Sequence, residues 1–130
     1  MHSFDGSLEL AQGFISLGLH IGLNGCSLRT QENLDVVRQL PLASILVETD
    51  APWCDIRPTH AGHHFIQTWK DLKGKDPKKF VEGETVKGRN EPKFLRWVLE
   101  VIAGVKEENV DKCAEIFFQN TREVFFKQAE

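Results

Sequence analysis

Two acids and one histidine occupy positions from which a metal ion could be held. In LVETDAPWCDIRPTHAG, residues 46–62, a continuously apolar run ends in Glu48, Thr49 and Asp50. A carboxylate at the end of a buried segment is costly unless something pairs with it. A divalent cation is one such partner, and His2 in HSFDG is a second candidate donor. His with Asp suits Zn2+ or Mn2+, and carboxylate alone suits Mg2+. The plain alternatives are an Asp50 that caps a turn before Ala51-Pro52 and an exposed His2 with no ligand.

The elements around these residues follow from periodicity. Residues 8–17 put Leu10, Phe14 and Leu17 on one helical face, with Ser7 as N-cap and Gly18 at the end. Residues 19–25 alternate Leu19, Ile21 and Leu23 with His20, Gly22 and Asn24, a strand pattern. Thr30 caps a helix with Leu34, Val37 and Leu40 on its apolar stripe, and Pro41 stops it. Residues 44–49 read as a fully buried strand, because Ile45, Leu46 and Val47 are continuously apolar. Strand alternation puts Glu48 and Asp50 on one face, with Asp50 at the carboxyl end, where sites of parallel α/β folds form. Helix, strand, helix, strand at this spacing predicts a parallel sheet with crossover helices.

The pattern then breaks into a connection of about 40 residues, 51–91, far longer than usual loops. Its lysines, Lys70, Lys73, Lys75, Lys78 and Lys79, alternate with acids and read as a solvated segment. Trp53, after a proline, reads as a packing residue, with base stacking as the rival. His63 and His64 are adjacent and point opposite ways in an extended segment, so they form no metal pair. Pro92 suits a helix start, Leu95, Val98, Leu99 and Ile102 make the next helical face, and Gly104 closes it. A last helix over 109–126 presents Val110, Cys113, Ala114, Phe117, Thr121, Val124 and Phe125. Two strands with four helices cannot cover a normal parallel sheet, so the elements read as the end of something larger.

Composition sets the frame. The chain has 130 residues and a net charge of −3, which gives no whole-chain argument for nucleic-acid binding. Cys26, Cys54 and Cys113 include no CxxC pair and read as free thiols in a reducing compartment. No apolar run approaches the roughly 18 residues of a membrane span, and MHSFDGSLEL does not read as a signal peptide. These features predict a soluble intracellular protein, of the nucleus or cytoplasm, with no membrane partner.

HSFDG, LHIGLNGCS, LVETDAPW, THAG and RNEP, in this order and spacing, resemble the TatD family of metal-dependent deoxyribonucleases. The likeness covers essentially the whole chain and is nearest the eukaryotic type. It implies a (β/α)8 TIM barrel of the metal-dependent hydrolase type, of which residues 1–130 are the C-terminal half, the last strands and helices only. An insertion falls at about 63–88. A whole barrel takes about 250 residues. The resemblance also implies a divalent-metal-dependent DNase that hydrolyses phosphodiester bonds of DNA. His2 and Asp50 are implied as ligands of Mg2+, Mn2+ or Zn2+, with Asp50 also catalytic. His60 and Arg89 are implied as contacts to substrate phosphate, against a bare loop His and a salt-bridge partner of Glu91. Glu48 would point into the barrel as a structural acid. The family's earlier Glu and His ligands are absent, so this chain alone is expected to be inactive. A non-catalytic remnant that binds a partner or self-associates, and another metal-dependent hydrolase on the same barrel, are the rival readings.

Overall fold

The computed structural model describes residues 1–126. Six principal elements follow one another: α1 (Leu8–Ser16), β1 (Ile21–Leu23), α2 (Gln31–Gln39), β2 (Ile45–Val47), α3 (Leu95–Val105) and α4 (Val110–Phe125). β1 and β2 pair in parallel, with Ile21 opposite Ile45, Gly22 opposite Leu46 and Leu23 opposite Val47. The predicted parallel pair joined by a helix is therefore present. Both strands are shorter than the apolar pattern suggested. Met1 and Phe4 run beside the far edge of β1, since Gly22 N–H donates to Met1 O (2.7 Å) and Phe4 N–H to Gly22 O (2.9 Å).

The helix starts are where capping chemistry puts them. Ser7 accepts from Leu10 N–H, Thr30 from Asn33 N–H, and Asn109 from both Asp111 and Lys112 N–H. Pro92 opens a short 3-10 turn, Pro92–Phe94, that leads into α3. Helix α3 lies deepest, with Val98, Val101, Ile102, Ala103 and Val105 buried. It runs past Gly104, the expected stop, and ends when Glu107 turns left-handed (φ 55°). Gly104 instead makes room, because a Cβ there would run into the Phe65 ring.

Two predicted helix faces are rotated. On α1 the buried residue is Ala11, with Leu8, Phe14 and Ile15 packed beside it, while Leu10 and Leu17 are exposed. The small Ala11 lets the helix approach the core, which turns Leu10 outward. On α4 the inner residues are Cys113, Phe117 and Asn120, and Val124 and Phe125 are exposed. Asn120 is the polar surprise: its side-chain N–H groups donate to Leu42 O (2.9 Å) and Ile45 O (2.8 Å), tying α4 to the entry of β2.

The long connection is not a solvated coil throughout. A 3-10 turn, Ala61–Phe65, packs between α2 and α3. Glu100 of α3 is buried and receives hydrogen bonds from Thr68 Oγ1, Gln67 N (2.8 Å), Thr68 N (3.0 Å) and Arg96 Nε (2.8 Å). Burial pushes this carboxyl up, but Thr68, the two backbone donors and Arg96 together hold it below its ordinary value of 4.5. Trp97 Nε1–H donates to Thr68 O (2.7 Å) from the same helix. The cysteines correct another expectation. Cys26 and Cys54 are paired, with Cα atoms 5.1 Å apart, and only Cys113 is free and buried among the described residues. A 28-residue separation carries no pairing signal in the sequence; the parallel pairing of the two strands brings their following loops together.

Candidate functional site

The carboxyl ends of β1 and β2 open on the same side as the chain's first residues. Asn24, just past β1, is fully buried and donates from Nδ2 to Ser3 Oγ (2.7 Å) while Oδ1 accepts from Cys26 N–H (2.9 Å). Ser3 takes a left-handed turn (φ 50°) that aims the preceding His2 toward β2. Just past β2, Asp50 also turns left-handed (φ 55°), a conformation Asp tolerates better than most residues. Asn90 fixes that turn. Its Nδ2 donates to Thr49 O (2.9 Å) and Trp53 O (2.8 Å), and its backbone N–H to Pro52 O (3.0 Å).

His2 and Asp50, far apart in sequence, are brought together. His2 Nε2 lies 3.9 Å from Asp50 Oδ1, and His2 Nδ1 contacts Glu48 Oε2. Two ligands about 2.1 Å from one divalent ion stand up to about 4.2 Å apart, so this span fits a shared ion. A carboxylate on Nδ1 keeps the proton there and leaves Nε2 as the basic nitrogen. The His2 side chain is 69% exposed and that of Asp50 38%, so the pair is reachable from solvent. Among the described residues no group of three or more His, Cys, Asp or Glu side chains could hold a metal ion.

Glu48 sits beneath this pair. Its Oε1 accepts from Ser3 N–H (3.3 Å), and its Oε2 is buried without a hydrogen bond of regular geometry. The carboxylate approaches Gly22 through Oε1, which any Cβ there would overlap. Gly22 is therefore part of the site: a side chain on β1 would evict the acid that holds His2. The glycine inside the strand pattern was the signal for such a close approach.

His60 and Arg89 are not hydrogen-bonded to Asp50 among the described residues; they line cavities beyond the Asp50 turn. His60 shares a cavity of about 330 Å3 with Arg29, Trp53 and Arg57. Its Nδ1 accepts from Arg57 N–H (3.2 Å). Burial, then the nearby Arg29 and Arg57 charges, lower its pKa below 6.5, which favours the neutral ring, with Nδ1 accepting and the proton on Nε2. Arg29 was not singled out from the sequence; it follows the Cys26 turn and contacts Cys26 Sγ (3.4 Å). Trp53 is 71% exposed, a correction to its reading as packing. Arg89 pairs with Glu91 (3.6 Å), which also holds Lys93 (3.2 Å).

Known proteins resemble this arrangement. The model of the family described as TatD related DNase matches residues 1–126. A Schizosaccharomyces pombe protein named Deoxyribonuclease Tat-D is 44% identical over 121 residues, 93% of this chain and 39% of that protein. A solved TatD family hydrolase from Entamoeba histolytica superposes with a TM-score of 0.93 at 29% identity, over 98% of this chain and 42% of its own. An uncharacterized amidohydrolase from Saccharomyces cerevisiae superposes with a TM-score of 0.87 at 36% identity, over 96% of this chain and 39% of its own. The chain thus spans about two fifths of the length of the curated relatives it matches.

Proposed function

The chain belongs to the TatD-related DNase family, and on that premise we propose that it supplies half of a divalent-metal site for hydrolysing phosphodiester bonds of DNA. The chain is the C-terminal half of a (β/α)8 barrel in this reading, with β1 and β2 as two of its last strands and residues 63–88 as an insertion. The observation that carries the reading is the facing pair His2 Nε2 and Asp50 Oδ1, backed by Glu48 on the other imidazole nitrogen. A basic His and a carboxylate suit Mn2+ or Zn2+, and Asp50 alone suits Mg2+. When bound, such an ion would polarise the phosphate and lower the pKa of a water.

The chain's own residues divide the remaining work. Glu48 holds the proton on His2 Nδ1. Asp50, with one oxygen toward His2, offers the other to the proton of an attacking water. That second oxygen, Oδ2, lies 3.5 Å from Cys54 Sγ. His60 and Arg29 offer donors for a neighbouring phosphate, and Arg89 a third donor group. No helix among the described residues is long and apolar enough to cross a membrane, and a DNA substrate would place the protein in the nucleus or cytoplasm.

The test uses a barrel completed by the strands of a relative, with Mg2+ or Mn2+ and labelled DNA. Asp50→Asn should lower cleavage at least 100-fold, and cleavage at the parent rate would defeat the assignment. The 130-residue chain alone should be inactive, because it brings two donors. A second reading, assembly of copies without catalysis, draws on one observation. The open side of β2, where Leu46 and Val47 meet exposed Leu19, Val124 and Phe125, borders a cavity of about 700 Å3. Sedimentation showing a monomer at micromolar concentration would exclude it.

A further inference from the structure

The insertion is built back onto the domain, and what it encloses has a chemistry of its own. Glu100 and Trp97 of α3 hold its root at Gln67 and Thr68. Its two arms close on each other: Lys75 N–H donates to Thr85 O and Lys87 N–H to Lys75 O, both at 2.8 Å. Gly74 is needed for that approach, since a Cβ there would sit 2.5 Å from Lys87 N. Between the closed arms, residues 55–59 and the start of α3 lies a cavity of about 860 Å3. Its inner wall is apolar, with Ile56, Val86, Phe94 and Trp97. Arg57, Lys73, Lys87 and Arg89 also line it, with Asp55 as the acid. Arg57 is paired with Asp55 and Arg89 with Glu91, but Lys73 and Lys87 enter no ion pair among the described residues. Asp55, Arg57 and Gly88 belong both to this cavity and to the His60–Arg29 cavity, so the two are adjacent.

We infer that the insertion cavity binds one or two unpaired nucleotides of a single-stranded DNA, with bases against the apolar wall and phosphates on Lys73 and Lys87. An apolar slot edged by unpaired cations complements a strand whose bases are flat and whose links are anionic. A duplex hides its bases and would leave the apolar wall wet. The inference deepens the nuclease reading and rests on it for the direction of the strand, which would pass from the Asp50 turn through the His60 cavity to the insertion.

The experiment is equilibrium binding of a hexathymidylate to the 130-residue chain in EDTA, followed by tryptophan fluorescence, at several salt concentrations. Both lysines are exposed, so the double variant Lys73→Glu/Lys87→Glu should keep the parent melting curve. It should bind at least 10-fold more weakly and flatten the salt dependence by about 1.4 in log–log slope, the value for two phosphate contacts on a single strand. An abasic hexamer should also bind at least 10-fold more weakly than hexathymidylate. Unchanged affinity and slope in the double variant would overturn the site, and equal binding of the abasic strand would overturn the base contact. Loss of the nuclease reading would show as absent cleavage by the completed barrel with lysine-dependent binding by the chain intact, and loss of this inference as the reverse.

Discussion

Replacing Glu100 with Gln should loosen the root of the insertion while leaving the core filled. Four donors converge on this carboxylate: Thr68 Oγ1, the backbone N–H groups of Gln67 and Thr68, and Arg96 Nε. A hydrogen bond to a charged group contributes about 1.5–3 kcal/mol net. Gln keeps one acceptor oxygen for the backbone donors, without its charge, and turns an amide toward the hydroxyl and the guanidinium. Arg96 is 41% exposed and recovers its solvation, so its share is discounted. The sum is a loss of about 2 kcal/mol, or roughly 8 °C in Tm for a domain of this size. The pH dependence has a definite sign. Because the folded carboxyl is held below 4.5, its stabilisation is complete above that value and is lost as pH falls through the folded pKa. Urea titrations followed by circular dichroism should therefore show a constant gap between parent and E100Q from pH 7 to about pH 5, closing at lower pH. Limited proteolysis should cut within 68–88 faster in the variant. A gap under about 0.5 kcal/mol at pH 7, or one that widens toward acid, would refute the reasoning.

Other perturbations probe the site itself. Gly22→Ala places a methyl on Glu48 Oε1, so it should displace the acid, release His2 and cost about 1–3 kcal/mol by overpacking; unchanged His2 ring resonances by NMR would contradict this. Asn90→Ala removes the donors on Thr49 O and Trp53 O and should destabilise by about 1–3 kcal/mol, with faster amide exchange across 50–54 as the local signature. Arg29→Gln removes one of the charges that depress His60; the His60 titration midpoint, read by NMR, should rise, and a fall would show that Arg29 does not face the ring.

The sequence alone contained the helix caps, the parallel strand pair and the acid at the end of its second strand. These are local: Ser7 and Thr30 satisfy backbone donors within the next turn, and an apolar run such as Ile45-Leu46-Val47 must be buried wherever it goes. The motifs that carried the family resemblance were legible for the same reason, since each is a short stretch. Tertiary structure decided whatever depends on two distant segments meeting. Which face α1 buries was set by how closely Ala11 approaches the core. The pairing of Cys26 with Cys54, the place of Glu100 beneath the insertion and the lysine-edged cavity all require loops to pack across 28 or more residues. The centre itself divides along the same line: His2, Glu48 and Asp50 could be named from their motifs, but the seat of Glu48 over Gly22, from which it holds His2, became visible only when β1 and β2 lay side by side. Short-range capping is a property of neighbouring residues; the position of a carboxylate over a glycine on another strand is a property of the packed sheet.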